Sequence, residues 1–285
     1  MATRNMEDMS NAKRTYKRAL TIAGSDPSGG AGIQADLKAF SACGCFGTSA
    51  IVAVVDENTV GVTGVHPIPV EFVVGQIRSV LDDIGADAIK IGMLHSSELI
   101  RAVKETLAHY AIRNIVLDPV MVATSGDALL QRDAVATLRD ELIPCARVIT
   151  PNIPEAELLL GERLTRQEEL PDAARRLSCG GRVSVLLKAG HLQDDVLTDI
   201  FYNAETDRIL PLRSPRVETV NTHGTGCTLS SAFAAFLARG FELDEAATRA
   251  KEYIAAAIAA GARYEIGHGL SLIHISEPTR LLSIS

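Results

Sequence analysis

Apolar residues along this chain repeat at two spacings. Short aliphatic or β-branched runs cover 19–23, 48–55, 88–91, 115–117, 148–149 and 183–187, and strand-like runs follow at 196–202 and 208–212. Runs of that length, bounded by Gly, Pro, Asp or Asn, read as strands. Between them, apolar positions three and four residues apart predict helices over about 33–42, 70–84, 97–110 and 243–262. Leu229, Ala232, Phe233, Phe236 and Leu237 form one further helical stripe directly after a Gly-rich run. Pro154 and Glu155 suit the first turn and positive end of another helix. Strands alternating with helices throughout give an α/β protein with a mostly parallel sheet and helices on both faces. No linker or repeat interrupts residues 18–269, so one domain is expected there.

Composition narrows the class. A chain of 285 residues with 47% hydrophobic and 22% charged residues can bury a large core. A net charge of −7 with no basic run argues against a nucleic-acid partner. Residues 1–17 are polar and read as a loose leader, lacking the apolar centre of a signal peptide. Nothing reaches the length of a membrane span. Five cysteines without metal-site spacing suit the reducing cytoplasm, and the seven histidines form no HxxxH pair. From Leu270 the string LSLIHISEPTRLLSIS breaks with the periodicity before it. It looks like a sequencing adapter translated in frame, so residues 270–285 are expected to be foreign to the fold.

Polar residues gather where strands end: Asp26, Glu57, Lys90, Asp118, Asn152, Glu155 and Lys188. In open α/β sheets those ends share one edge, so they can form one site. Asp26 reads first as a turn residue, since Asp-Pro-Ser-Gly is strong turn chemistry. Gly224 and Gly226 precede the stripe-bearing helix, and free peptide N–H groups at a helix start hold anions. Cys227 lies in that first turn, where the helix field favours thiolate. The alternative is a packing cysteine beside an oxyanion hole. Such an anion loop with lysines and carboxylates suits phosphoryl transfer. Neither a P-loop nor a dinucleotide GxGxxG fits the first glycine turn, residues 24–32.

ALTIAGSDPSGGAGIQADLKAF, KIGM, LDPVMVATSG, ITPNIPEAELL, LLKAGH and NTHGTGCTLSSA, in that order, closely resemble the bacterial hydroxymethylpyrimidine/phosphomethylpyrimidine kinases of thiamine synthesis. The resemblance spans roughly Arg18 to Gly269. It implies a ribokinase-like three-layer αβα fold, two successive phosphorylations with ATP and Mg²⁺, room for a monovalent cation, and a homodimer. It places Gly24, Asp36, Glu57, Met93 and Val120 around the pyrimidine. Gly224, Thr225 and Gly226 would form the oxyanion hole, with Cys227 where sugar kinases carry a catalytic aspartate. Lys188, Asn152, Thr222 and His223 would meet the nucleotide. Asn152 and Glu155 would orient Mg²⁺ through water, and the segment after Asp118 would give part of a lid. Lys90 and Met93 read more as wall than as chemistry.

Two features depart from that pattern. The family's glutamine at the aminopyrimidine is Glu57 here, and a carboxylate only accepts unless it or the ring carries an extra proton. A ring-protonated aminopyrimidine offers two adjacent donors that a carboxylate matches, but pyridoxine-type substrates also come into view. The family's Gly-Pro and apolar C-terminal segment is missing after GHG. A binding protein that keeps the pocket without turnover is the reading from another class.

Overall fold

The computed structural model describes residues 15–121, 132–190, 192 and 195–269. The strands are β1 (Arg18–Ala23), β2 (Phe46–Ile51), β3 (Ala53–Asn58), β4 (Gly61–Pro67), β5 (Ala88–Ile91), β6 (Ile115–Leu117), β7 (Val148–Ile149), β8 (Ser184–Leu187), β9 (Val196–Asn203) and β10 (Arg208–Pro215). The helices are α1 (Gly32–Ala42), α2 (Val70–Asp83), α3 (Ser97–Ala108), α4 (Arg132–Thr137), α5 (Ile153–Leu160), α6 (Leu170–Leu177), α7 (Thr225–Ala238) and α8 (Leu243–Gly261). Apart from the run 48–55, the predicted elements are present, with ends shifted by a few residues.

One 8-stranded sheet runs in the order β10-β9-β8-β7-β6-β5-β1-β2. Strands β2, β1, β5, β6, β7 and β8 are parallel, and the β9–β10 hairpin closes one side antiparallel. Alternate residues of each parallel strand enter opposite cores, which is why these runs are apolar without a break. Leu20, Ile22, Ile89, Ile91, Leu117 and Ile149 meet α2, α3, α5 and α6 through Ile77, Leu99, Ala156 and Ala173. Ala19, Ala88, Val116, Val148, Leu186 and Phe201 meet α1, α7 and α8 through Phe40, Phe233 and Ala247. Helix α7 is buried almost all round, so its apolar surface is wider than the stripe read from sequence.

The run 48–55 is not one strand ending at the sheet edge. The chain breaks at Val52, and β3 leaves the sheet to pair antiparallel with β4, a strand the sequence reading did not include. Backbone groups of Ala53 and Val55 bond to Ser25, so this flap hangs over the turn after β1. Helices α4 and α6 were also unforeseen. Among the leader residues, 15–17 are described and exposed; residues 1–14, the segment 122–131 read as lid, and the tail 270–285 lie outside the described residues.

Candidate active site

The carboxyl ends of the parallel strands open onto a cavity of about 660 Å³. Every residue assigned above to catalysis, substrate, nucleotide or metal lines it, apart from Asp36. One end lies under the flap, with Gly24, Glu57, Met93 and Val120. The other lies between β9, β10 and α8.

Gly224 begins α7 with φ +81, and a Cβ there would fall 1.6 Å from the carbonyl oxygen of Gly30. Glycine is thus required for the two Gly-rich turns to touch. Asp26 fastens them. It accepts from the backbone N–H of Ser28 (2.7 Å), Gly30 (3.1 Å) and Ala31 (2.7 Å), and its Oδ2 lies 2.8 Å from His223 Nε2. Burial works against its charge, but His223, Ser28 and Ala31 outweigh burial and hold the carboxyl well below the usual range. Asp26 is thus a turn residue and a clamp at once. His223 lines the cavity 3.9 Å from Glu57. Burial opposes its protonation, yet Asp26 and then Glu57 raise its pKa. The clamp turns the ring toward the first glycine turn.

Asp36 is fully buried beneath the cavity. Its oxygens take Lys90 Nζ at 2.9 Å and the hydroxyls of Thr21 and Ser231 at 2.6 Å each. A carboxylate so occupied holds the cavity floor and does not reach a substrate. Lys90, fully buried too, does line the cavity. Burial disfavours its charge, but Asp36, Cys227 and Asp118 hold its pKa above the ordinary value. Cys227 departs from the thiolate expectation. Burial pushes its thiol up to about 11, and Asp36 and Asp118 push the same way, against Lys90 and the N–H of Gly32. The helix start alone does not offset that desolvation.

Beside the loop stands a second ion pair. Lys188 Nζ donates to Asp118 Oδ1 at 3.0 Å, and a Cβ on Gly226 would lie 3.3 Å from that ammonium. Asp118 also accepts from the Thr150 hydroxyl (3.0 Å), which lies 2.8 Å from Ser230 Oγ; Ser230 in turn donates to the Gly226 carbonyl. A chain of polar contacts therefore ties the loop to the strand ends. Burial opposes both charges of the pair; Lys188 lowers the Asp118 pKa and Asp118 raises that of Lys188. Asn152 and Glu155 close a capping box on α5, with bonds of 2.9 and 2.8 Å. Burial raises the Glu155 pKa to about 7, with Lys188 opposing and Asp118 adding to the rise.

The far end of the cavity carries none of the residues expected from sequence. Leu197, Val217, Ile254, Ala255, Ile258 and Ala259 form an apolar slot there. Asp199 and Lys251 form a nearly buried pair at 2.7 Å on its floor, and Asp199 also accepts from the N–H of Ala189 at 2.8 Å. The available signal was Asp199 itself, a carboxylate inside the apolar run LTDIFY.

An anion loop flanked by a lysine, between an apolar slot and a carboxylate-lined end, is suited to moving a phosphoryl group from a nucleotide to a small molecule. Comparison with known proteins gives the family. A sequence model described as "Phosphomethylpyrimidine kinase" matches residues 26–274. The chain belongs to that family. A "Hydroxymethylpyrimidine/phosphomethylpyrimidine kinase" of Rhizobium meliloti is 49% identical over 257 residues, covering 90% of this chain and 96% of the relative. A crystal structure of phosphomethylpyrimidine kinase from Clostridium difficile aligns with TM-score 0.75 and 41% identity, over 85% of this chain and 99% of that one. The ADP complex of Bacillus subtilis pyridoxal kinase aligns with TM-score 0.80 and 39% identity, over 86% and 93%.

Proposed function

We propose that this protein uses ATP to phosphorylate the hydroxymethyl group of 4-amino-5-hydroxymethyl-2-methylpyrimidine, and then the resulting monophosphate, in thiamine synthesis. The observation that carries the reading is the approach of the Lys188 ammonium to Gly226, where a Cβ would lie 3.3 Å from it, with both residues lining one cavity. It marks where a γ-phosphoryl group would pass between a nucleoside in the apolar slot and a hydroxyl under the flap. The substrate oxygen bonds to the γ-phosphorus as the bond to the β-γ bridging oxygen breaks, so ADP leaves. Backbone N–H groups of Gly224 to Gly226 and the Lys188 ammonium meet the charge on the transferring group. The hydroxyl proton leaves late in a loose transition state and passes to an oxygen of the transferred phosphoryl group and on to water, so a neutral Cys227 thiol suits lining the loop more than drawing the proton at the outset.

Mg²⁺ fits the oxygen set of Glu155, Asn152 and Asp118. A carboxyl that burial keeps partly protonated beside a second carboxylate is a place where a cation relieves repulsion. Bound there, Mg²⁺ supplies charge neutralisation for the triphosphate. Residues 18–269 act in this reading as one kinase unit, paired as a homodimer.

Pyridoxal is the second candidate substrate. Glu57 favours it, since it stands where the family pattern has glutamine and lies close to His223 and Asp26. Mass spectrometry of the products from ATP with each compound decides between them. The expected result is pyrimidine mono- and then diphosphate; faster turnover of pyridoxal rejects the preferred substrate, and product from neither compound rejects the kinase.

A further inference from the structure

Asn221 precedes the anion loop but does not line the cavity. It is 2% exposed, and its side-chain Nδ2 donates to two backbone carbonyls, Gly261 at 2.6 Å and Tyr264 at 2.7 Å. Its own N–H donates to Thr219 Oγ1 at 3.0 Å. Gly261 is the last residue of α8, and helix-end carbonyls lack helical partners and carry the negative end of the macrodipole. The Gly261 carbonyl also accepts from the Tyr264 N–H at 3.1 Å, so the Asn221 amide adds a second donor there and meets the Tyr264 carbonyl with its other hydrogen. The same helix supplies Ile254, Ala255, Ile258 and Ala259 to the apolar slot.

Past Tyr264 the chain crosses to the flap. Gly269 N donates to Thr59 Oγ1 at 3.2 Å. A Cβ on Gly267 would lie 2.3 Å from Thr59 Oγ1, and one on Gly269 would lie 1.9 Å from the Thr59 carbonyl oxygen. Only glycines allow the approach. Thr59 sits in the flap turn, two residues beyond Glu57. One stretch of chain therefore touches the anchor of the anion loop, continues the nucleoside wall, and lies on the substrate flap.

Resting on the kinase reading above, we propose that Asn221 is a positioning residue. Its amide straps the anion loop to the end of α8, and residues 262–269 carry that strap to the flap turn at Thr59. The loop that holds the phosphoryl group and the flap that covers the substrate are then set against each other by one run of chain. Misplacement of a reacting group by about 1 Å can cost on the order of a hundredfold in rate, so a loosened strap acts on turnover.

The test uses Asn221→Ala and Asn221→Asp in the full chain. Both remove the amide donors, and the second keeps the size. The expected result is a fall in kcat of roughly ten- to a hundredfold in both variants, with a smaller change in either KM. Backbone amide exchange should quicken at residues 222–228 and 57–60 while α3 is unchanged. Parental kcat in either variant overturns the proposal, since the amide donors would then be dispensable. So does exchange that quickens evenly across the fold, which marks a merely structural residue. If the parent chain phosphorylates neither candidate substrate, the kinase reading fails separately, and local exchange at 222–228 still decides for or against the strap.

Discussion

Replacing Lys90 with Met tests how the cavity floor is held. Lys90 and Asp36 are both fully buried with Nζ and Oδ1 2.9 Å apart. Methionine fills similar volume but leaves the Asp36 carboxylate in the core with only the hydroxyls of Thr21 and Ser231. Removing one partner of a buried pair costs about 3–5 kcal/mol, because the remaining charge keeps its desolvation penalty. With a urea slope of about 2–3 kcal/mol/M for a chain of this size, the unfolding midpoint should fall by roughly 1–2 M. Asp36→Asn in the same chain removes the stranded charge, so the double variant should recover much of the loss. Urea unfolding followed by circular dichroism, on parent, both single variants and the double, gives the coupling directly. A loss below about 1 kcal/mol in Lys90→Met, or a double variant no more stable than that single one, refutes the charge argument.

Three further outcomes follow from the same geometry. Gly224→Ala puts a Cβ into the Gly30 carbonyl at φ +81, so the loop must shift and kcat should fall by about a hundredfold in steady-state assays; unchanged turnover removes the loop from the reaction. With its thiol pushed up to about 11, Cys227 should alkylate slowly at neutral pH and faster only in strong alkali, and Cys227→Ala should change kcat little; a collapse of kcat with KM unchanged restores a base role and refutes the lining one. Glu155, raised from 4.5 to about 7, holds in the folded state a proton that the unfolded chain releases, so its contribution is lost as pH climbs through that window. At most about 3 kcal/mol is at stake, and thermal melts of Glu155→Gln should lose that decline between pH 5 and 7; an unaltered slope contradicts the raised value.

Much of this was legible in the chain itself. Parallel strands buried on both faces must be apolar throughout, so 88–91, 115–117 and 148–149 announced themselves, and the polar residues ending them marked the site edge. NTHGTGC carried its own message, because glycines feeding a helix have few uses besides close approach and anion binding. Local pattern could not show where a strand changes partners. The run 48–55 is continuous in sequence, yet β3 leaves the sheet because its hydrogen bonds go to Ser25 and to β4, neither adjacent in the chain.

The same limit divides the site. Residue type and order determined that Cys227, Lys188, Asn152 and Glu155 would share one cavity, since strand ends in such a sheet face one way. Their charge states belong to the tertiary structure alone. Asp36 turned inward to Lys90 and His223 to Asp26 because opposite charges attract over a few ångströms between residues far apart in the chain, and burial pushes the Cys227 thiol up against the pull of Lys90. Asn221 and the strap to Thr59 were invisible for that reason: two carbonyls and an amide have no sequence signature until the fold brings them together.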